Sequence, residues 1–446
     1  MPLLAVAAAL GSLAGCGLLV DGEGPPGASP AATVGPQPTL GAPDPGLLPT
    51  VRVAPVVGWA NGAGPQAAPG LQVQAFARGL DHPRWVYTLP NGDVLVAESN
   101  APPRPQDEAG LMGRVAKWVM GRAGAGVPSA NRISLLRDTD GDGVAEIRSV
   151  FLQGLNSPFG MVLVGNALYV ANTDGVMQYD YQPGQQAITG PGRLLTDLPA
   201  GPRNHHWTKN ILASADGSTL YATVGSNSNI AENGMAAEEG RAAIWQIKLA
   251  DGSKRLFATG LRNPNGMAFA PGSPRLWTVA NERDELGNDL VPDYLTSVQD
   301  GGFYGWPYSY FGQRVDTRVQ PQRPDLVAKA LAPDYALGAH VAALGLAARD
   351  GGAATGWPSA FGQGMFIGLH GSWNRQPPVG YKLVFVPFAA GKPSGPPVDV
   401  LTGFVNASGK AQGRPVGVAL ARDGGVLVAD DVGNTIWRVS PAAMAK

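Results

Sequence analysis

From residue 71 onward, apolar positions come in short runs, each bounded by Gly, Pro, Asn or Asp. Residues 71–77 (LQVQAFA) form the first strand-length run. A longer unit then recurs: a Gly/Pro loop, an apolar strand, a polar turn, and a second strand ending in small or acidic residues. The copies read GLDHPRWVYTLPNGDVLVAES from Gly79, GLNSPFGMVLVGNALYVANT from Gly154 and NHHWTKNILASADGSTLYATVGS from Asn204. They continue as GLRNPNGMAFAPGSPRLWTVANE from Gly260, a degenerate copy over 338–371, and GRPVGVALARDGGVLVADDVGNTIWRV from Gly413. The turns Pro90-Asn91-Gly92-Asp93 and Ala215-Asp216-Gly217-Ser218 carry hairpin chemistry, supplying residues that tolerate positive φ. Six copies, each spaced by about one four-stranded sheet, predict an all-β, six-bladed β-propeller. The strand at 71–77 would pair with the C-terminal blade and close the ring, which removes exposed sheet edges. No long helix is predicted, only a short one over 107–122.

Composition agrees with this reading. The 446 residues include 62 Gly and 40 Pro, a level that suggests disorder only where apolar content is low; here 44% is hydrophobic. A formal charge of −1 gives no electrostatic footprint for nucleic acid and no basic membrane patch. With a single Cys no intrachain disulfide can form, which leaves packing, with or without metal, to hold the fold.

The first residues read as a targeting segment. Residues 3–13 are apolar and Ala-rich but too short to span a bilayer, and they run into Leu13-Ala14-Gly15-Cys16, which resembles the lipobox of bacterial lipoproteins. That assigns 1–16 as a lipoprotein-type signal segment with Cys16 as the lipid attachment point, although no positively charged stretch precedes the apolar run. Residues 17–70, rich in Pro, Gly and Ala, read as an extended, mostly disordered tether. The propeller domain would occupy 71–446, held outside the cytoplasm, in the periplasm or its equivalent, and touching the membrane only through the anchor.

Chemistry concentrates in 260–307. A Gly/Pro/Asn loop enters an apolar strand, and Glu282, Arg283, Asp284, Glu285, Asp289 and Asp293 follow on a stretch that Gly287 and Pro292 mark as a loop. The closing GGFYGWP would suit a tight, buried corner. Long loops at 101–131, 226–240 and 281–302 would gather at one face of the ring, around the central channel. Separately, Asp138, Asp140, Asp142 and Glu146 alternate around Gly143, offering oxygen ligands as a structural calcium loop does; a plain Asp-Gly surface turn is the alternative.

The segments GLRNPNGMAF, NERDELGNDLVPDYLTSVQDGGFYGWP, RNHHWTKNILASADGSTLYATVGSNSN and FIGLHGSWNRQPPVGYKLVFVPF resemble the soluble quinoprotein sugar dehydrogenases, most closely the sorbosone dehydrogenase branch. That resemblance implies a six-bladed propeller using pyrroloquinoline quinone (PQQ) and calcium to oxidise an aldose or related hydroxy-aldehyde. It implies that electrons pass on to a quinone or a cytochrome. It further implies His205 as general base, Arg262 and Asn263 beside the quinone carbonyls, and Arg414 on a cofactor carboxylate. His370, Trp373 and Arg375 fall where the aldose branch binds cofactor, and Glu282, Arg283 and Asp284 where backbone carbonyls hold the catalytic calcium. Ser226 stands where the aldose enzymes place an Asp to orient the catalytic His.

The residue types suit that chemistry: a neutral imidazole takes the hydroxyl proton, and guanidinium groups match the three carboxylates of PQQ. His82 and His206 read as structural, and His340 as either. A calcium-dependent, lactonase-type propeller hydrolase and a non-catalytic binding scaffold remain as rivals.

Overall fold

The computed structural model describes residues 30–44, 46, 52–103, 121–124, 126–201, 203–351 and 356–442. The signal segment, Cys16 and nearly all of the short helix expected over 107–122 lie outside the described residues.

Six antiparallel sheets form the six blades of a propeller. Blade one holds Pro83–Thr88, Val94–Glu98, Arg132–Arg137 and Ile147–Gln153; blade two holds Met161–Val164, Ala167–Asn172, Gly175–Asp180 and Arg193–Asp197. Blade three comprises Ile211–Ala213, Thr219–Val224, Ala243–Lys248 and Lys254–Thr259, with Gly302–Phe303 added in parallel at its outer edge. Blade four comprises Asn263–Phe269, Leu276–Asn281, Pro292–Ser297 and Tyr335–Ala339. Blade five comprises Ala343–Asp350, Gln363–Leu369, Lys382–Ala389 and Val398–Thr402. Blade six takes Pro415–Leu420, Val426–Asp430 and Thr435–Pro441 from the chain's end and Leu71–Arg78 from upstream of blade one. Each copy of the repeat thus contains the first two strands of one blade, and the copy from Gly413 reaches into the third.

Leu71–Arg78 pairs antiparallel with Thr435–Pro441 from Leu71 opposite Pro441 to Arg78 opposite Thr435. Phe76 from this strand is buried with Val86, Leu427 and Ile436, so blade one and blade six share a core across the closure. First strands of neighbouring blades approach closely, and glycine permits it. A Cβ on Gly266 would lie 2.6 Å from the Leu344 carbonyl of the next blade, and one on Gly345 would strike the Val416 carbonyl of the blade after.

Two stretches depart from the sequence reading. The supposed tether lies against the propeller wherever it is described. Gly35 exchanges two backbone hydrogen bonds with Ala336, Gln66–Ala67 pairs with Val398–Thr402 as an extra edge strand of blade five, and Ala54 is buried. Its apolar and aromatic residues, few as they are, find partners: Trp59 packs edge-on against Phe404 and Trp437, with centroids 5.5 and 5.4 Å away. The acidic stretch after Asn281 is also not all loop, because Pro292–Ser297 is a strand with Asp293 in its ladder. Proline is admissible there as the strand's first residue. The GGFYGWP corner is buried as expected, Tyr304 and Trp306 both being inaccessible.

If the approach of first strands sets the ring, Gly345→Ala should destabilise the protein by about 1–3 kcal/mol through overpacking. Urea unfolding of the purified variant against wild type measures this, and an unchanged midpoint would contradict it.

Candidate active site

All five histidines of the chain line one cavity of about 310 Å³, at the low end of the roughly 300–1,000 Å³ usual for small-molecule sites. His82, His205, His206, His340 and His370 share it with Arg84, Arg262, Arg414, Glu282, Asp284, Asp293 and Asp431. The repeat explains the convergence. Second strands end at Asn281, Leu369 and Asp430 in blades four, five and six. The residues that follow them, Glu282, His370 and Asp431, are all cavity residues. His82 and Asn263 likewise occupy one repeat position, before the proline of GLDHP and GLRNP. His82 and His340 both hold positive φ, 53° and 64°, a strain that non-glycine residues bear mainly at functional sites.

His206 is held in one tautomer. Its Nδ1 lies 2.8 Å from the Ser226 carbonyl oxygen and 3.0 Å from Ser226 Oγ. That hydroxyl donates to the Ser228 carbonyl at 2.7 Å, so it can only accept from the ring. Nδ1 therefore carries the proton, and the Nε2 lone pair is left as a base. Burial, reinforced by the Arg262 guanidinium, lowers the His206 pKa to about 3. The residue at the orienter position thus serves His206, not His205 as the sequence suggested; His205 lines the same wall.

Arg262 is held on several sides. It donates to the Glu282 carbonyl (2.5 Å), the Asn229 carbonyl (3.2 Å) and Asn229 Oδ1 (2.9 Å), and pairs with Asp284 at 3.2 Å. Asp284 also accepts from Asn374 Nδ2 at 2.8 Å and faces His340 Nδ1 at 3.5 Å. Burial alone would raise Asp284, but the His340 ring and the Arg262 guanidinium hold it at about 2. His340 donates from Nε2 to the Gly287 carbonyl at 3.0 Å. With acceptors at both nitrogens, its pKa is raised against the opposing effect of burial, chiefly by Asp284. Asp293 instead accepts the Glu282 and Ala342 amides (2.8 and 2.7 Å), and burial pushes its carboxyl up.

A second cluster sits on the blade-six side. Asp431 Oδ2 accepts from Arg84 Nη1 at 2.5 Å and His370 Nε2 at 2.9 Å, and lies 3.6 Å from His82 Nε2. Burial opposes it, yet the His370 and His82 rings and the Arg84 guanidinium hold the Asp431 carboxyl well below the usual carboxylate range. Burial depresses His370 and lowers His82 to about 4. Arg84 lies between the Phe159 and Trp207 rings, 6.0 and 5.8 Å from their centroids. Arg414 donates to the Tyr381 hydroxyl at 2.9 Å and lies over that ring. In both arginines Nε is buried without a partner, a vacancy that suits an anionic ligand.

The other expected residues divide. Asn263 and Trp373 line the cavity, Trp373 being 38% exposed. Arg375 does not; it pairs with Asp289 at 2.8 Å, outside the cavity wall. Arg283 is wholly buried away from the cavity, bonded to Glu282, Asp316 and the carbonyls of Pro307 and Ser309, which makes it structural. The Glu282 and Asp284 carbonyls, expected to hold calcium, already accept from Arg262 and Arg318. Two flanking guanidinium groups do not fit a divalent cation bound there. Asp138, Asp140, Asp142 and Glu146 do come together, their ligand oxygens all within 4.8 Å, but in an exposed turn of blade one remote from the cavity lining. Sequence reasoning missed Arg84 and Asp431 and set His82 and His206 aside.

A model of the TrAA12-like family matches residues 131–296 and 319–442, well over half of the chain. The chain belongs to this family. A PQQ-dependent pyranose dehydrogenase of Coprinopsis cinerea is 24% identical over 443 aligned residues, covering 83% of this chain and 54% of that enzyme. The chain therefore spans about half the enzyme's length. An uncharacterized protein of Borreliella burgdorferi is 28% identical over 297 residues, covering 64% of this chain and 76% of that one. Among solved structures, the PQQ domain of the Coprinopsis cinerea pyranose dehydrogenase superposes with a TM-score of 0.66 at 22% identity, covering 84% of this chain and 97% of the domain. A family AA12 enzyme of Trichoderma reesei gives 0.68 at 19%, covering 88% and 99%. These structures share the fold.

With only five rings to assign, the cavity's protonation can be read by NMR of histidine-labelled protein. His206 is expected to stay neutral, as the Nδ1–H tautomer, down to about pH 4, while His340 is expected to titrate above the ordinary histidine range. Ser226→Asp, which puts a carboxylate beside Nδ1, should raise the His206 pKa by about 1–3 units. An unshifted ring would contradict the assigned geometry.

Proposed function

We propose that the chain is a PQQ-dependent oxidoreductase that oxidises a sugar or related hydroxy-aldehyde, sorbosone being one candidate. The observation that carries this reading is the meeting, in one cavity, of an imidazole locked with a free Nε2 and three guanidinium groups, those of Arg262 and Arg414 buried and that of Arg84 half-buried. The residues present fit PQQ. Its carboxylates call for cationic donors with unused N–H groups, and Arg84 and Arg414 each keep a buried, unpartnered Nε. The cavity carboxylates Asp284 and Asp431 are already matched by cations, so they do not repel an anionic ligand outright. Arg84 and Arg414, with His82 and His370 beside Asp431, would hold the cofactor.

When bound, PQQ supplies the acceptor for the electron pair that leaves the substrate carbon. His206 Nε2 receives the hydroxyl proton, and its low proton affinity keeps it in the basic form before substrate arrives. Arg262, fixed by Asn229 and Asp284, keeps a positive charge beside that ring, where negative charge develops on substrate oxygen. Trp373 presents an indole face at the mouth for the apolar face of a sugar. The lipobox-like sequence at Cys16 supports placement outside the cytoplasm on a lipid anchor, where a membrane quinone or a cytochrome would take the electrons. The hydrolase alternative would need several cavity carboxylates free to ligate calcium; Asp284, Asp293 and Asp431 each accept from a cation or an amide, and among the described cavity carboxylates only single oxygens of Glu282 and Asp431 are left without a partner.

The test is to titrate purified protein with PQQ, with and without calcium, and follow dye reduction over a panel of aldoses, sorbosone and simple alcohols. His206→Ala should lower kcat about 10²–10⁴-fold with PQQ affinity retained, and Arg414→Gln should weaken PQQ binding about tenfold or more. No turnover across the panel, or lactone hydrolysis without PQQ, would refute the proposal.

A further inference from the structure

The arm that precedes the propeller runs along the loops that build the cavity. The Asp44 amide donates to the Leu286 carbonyl at 3.0 Å, next to Gly287, the acceptor of His340. The Arg52 amide donates to the Trp373 carbonyl at 2.8 Å and Val56 to the Arg122 carbonyl at 3.0 Å. Trp59 then reaches blade six, where its Nε1 donates to Asp430 Oδ2 at 2.7 Å.

Asp430 is not a cavity residue, but it holds two groups that are close to one. Its Oδ1 accepts the Arg414 amide at 2.8 Å and the Gly433 amide at 2.9 Å, and its Oδ2 also accepts Trp437 Nε1 at 3.0 Å. Four N–H donors thus surround a fully buried carboxylate with no cation in contact. The backbone of Gly413 and Gly433 lies so close that a Cβ on either would strike the carboxylate. Asp431, the next residue, anchors Arg84 and His370. Position and charge of this one carboxylate therefore set both the Arg414 backbone and the blade-six wall.

We propose that Trp59 is a positioning residue for the anion-binding arginine Arg414, acting through Asp430, so that the arm is a working part of the site. This inference rests on the reading of the cavity as a PQQ site. The titratable and charged groups nearest this region are Asp431, Arg414, Arg84, His82 and His370 on the cavity side and, on the other side, Arg78, whose guanidinium lies 4.8 Å over the Trp437 ring. Asp430 titrates in the accessible range, since burial raises its carboxyl to about 6 while the Trp59 and Trp437 N–H groups oppose the rise. Removing one of those donors raises it further. The anchor of Arg414 is then lost at a higher pH as the solution is acidified.

Trp59 is half-buried and its ring is retained in Trp59→Phe, so the variant keeps most of its packing. On the full chain, PQQ affinity is measured by fluorescence quenching from pH 5 to 8, alongside amide hydrogen exchange of the peptide containing Arg414 and Gly433 without PQQ. Trp59→Phe should weaken PQQ about two- to threefold at pH 6, move the acid limb of the affinity profile up by about half a unit, and speed exchange at both amides. Unchanged exchange in the variant overturns the positioning role whether or not PQQ binds. Faster exchange with an unchanged affinity profile also overturns it. Failure of wild type to bind PQQ, with faster exchange in the variant, leaves the arm's hold on Arg414 standing and refutes the cofactor reading.

Discussion

Closure of the ring by two ends of the chain is the constraint on which the site depends. Leu71–Arg78 and Thr435–Pro441 are far apart in sequence and complete one sheet. That sheet carries Asp430 and Asp431 at the end of a strand, with Arg414 just before another. Hydrogen bonding alone would leave such an edge strand marginal; the shared core of Phe76, Val86, Leu427 and Ile436 makes the join cooperative. The arm adds a second tie at the same blade, so the wall that holds Arg84, His370 and Arg414 is fixed from both chain directions.

Inside the ring, charge is arranged in separate local balances. Arg262, Asp284 and His340 form one group and Arg84, Asp431, His82 and His370 another. His206 belongs to neither, and neutral oxygens hold it. An acceptor carboxylate would orient the ring and also raise its affinity for protons. Ser226 supplies the orientation without the second effect. The ring is accordingly a weak base in a fixed pose, and any proton it accepts must be driven by the chemistry it faces.

Much of this was legible in the sequence because the repeat is regular. Turn chemistry and apolar alternation placed the blades, and the strand at 71–77 was recognisable as the closing one. Arg262, Asn263, His370, Trp373 and Arg414 stood in segments whose family resemblance marked them, and they do share a cavity. His205 was preferred to His206 through the family resemblance, because they lie in a loop with no alternation to assign faces. Arg84 and Asp431 were visible only through the repeat: Asp431 holds the position that Glu282 and His370 hold in blades four and five, and Arg84 lies two residues after the position shared by His82 and Asn263, a comparison across copies that single motifs do not prompt. Residues 30–44 and 52–70 misled because Pro and Gly content was read as disorder, whereas a few residues, Trp59 above all, are enough to seat an irregular segment on a preformed surface. Arg375 and Arg283 misled for the opposite reason: an arginine near a site is as readily spent on an internal carboxylate such as Asp289 or Asp316.

The closing strand also imposes an order of events on biosynthesis. Leu71–Arg78 emerges from the ribosome long before Thr435–Pro441, with about 360 residues between them, an interval of roughly 20–70 seconds at ordinary rates of translation. Throughout that time its ladder groups are unpaired and open to adventitious strands. A nascent chain stalled before the last blade would contain all five of the cavity's histidines and most of its loops, yet lack Arg414 and Asp431. The cavity wall formed by Arg414 and Asp431 is thereby present only in chains that have been completed.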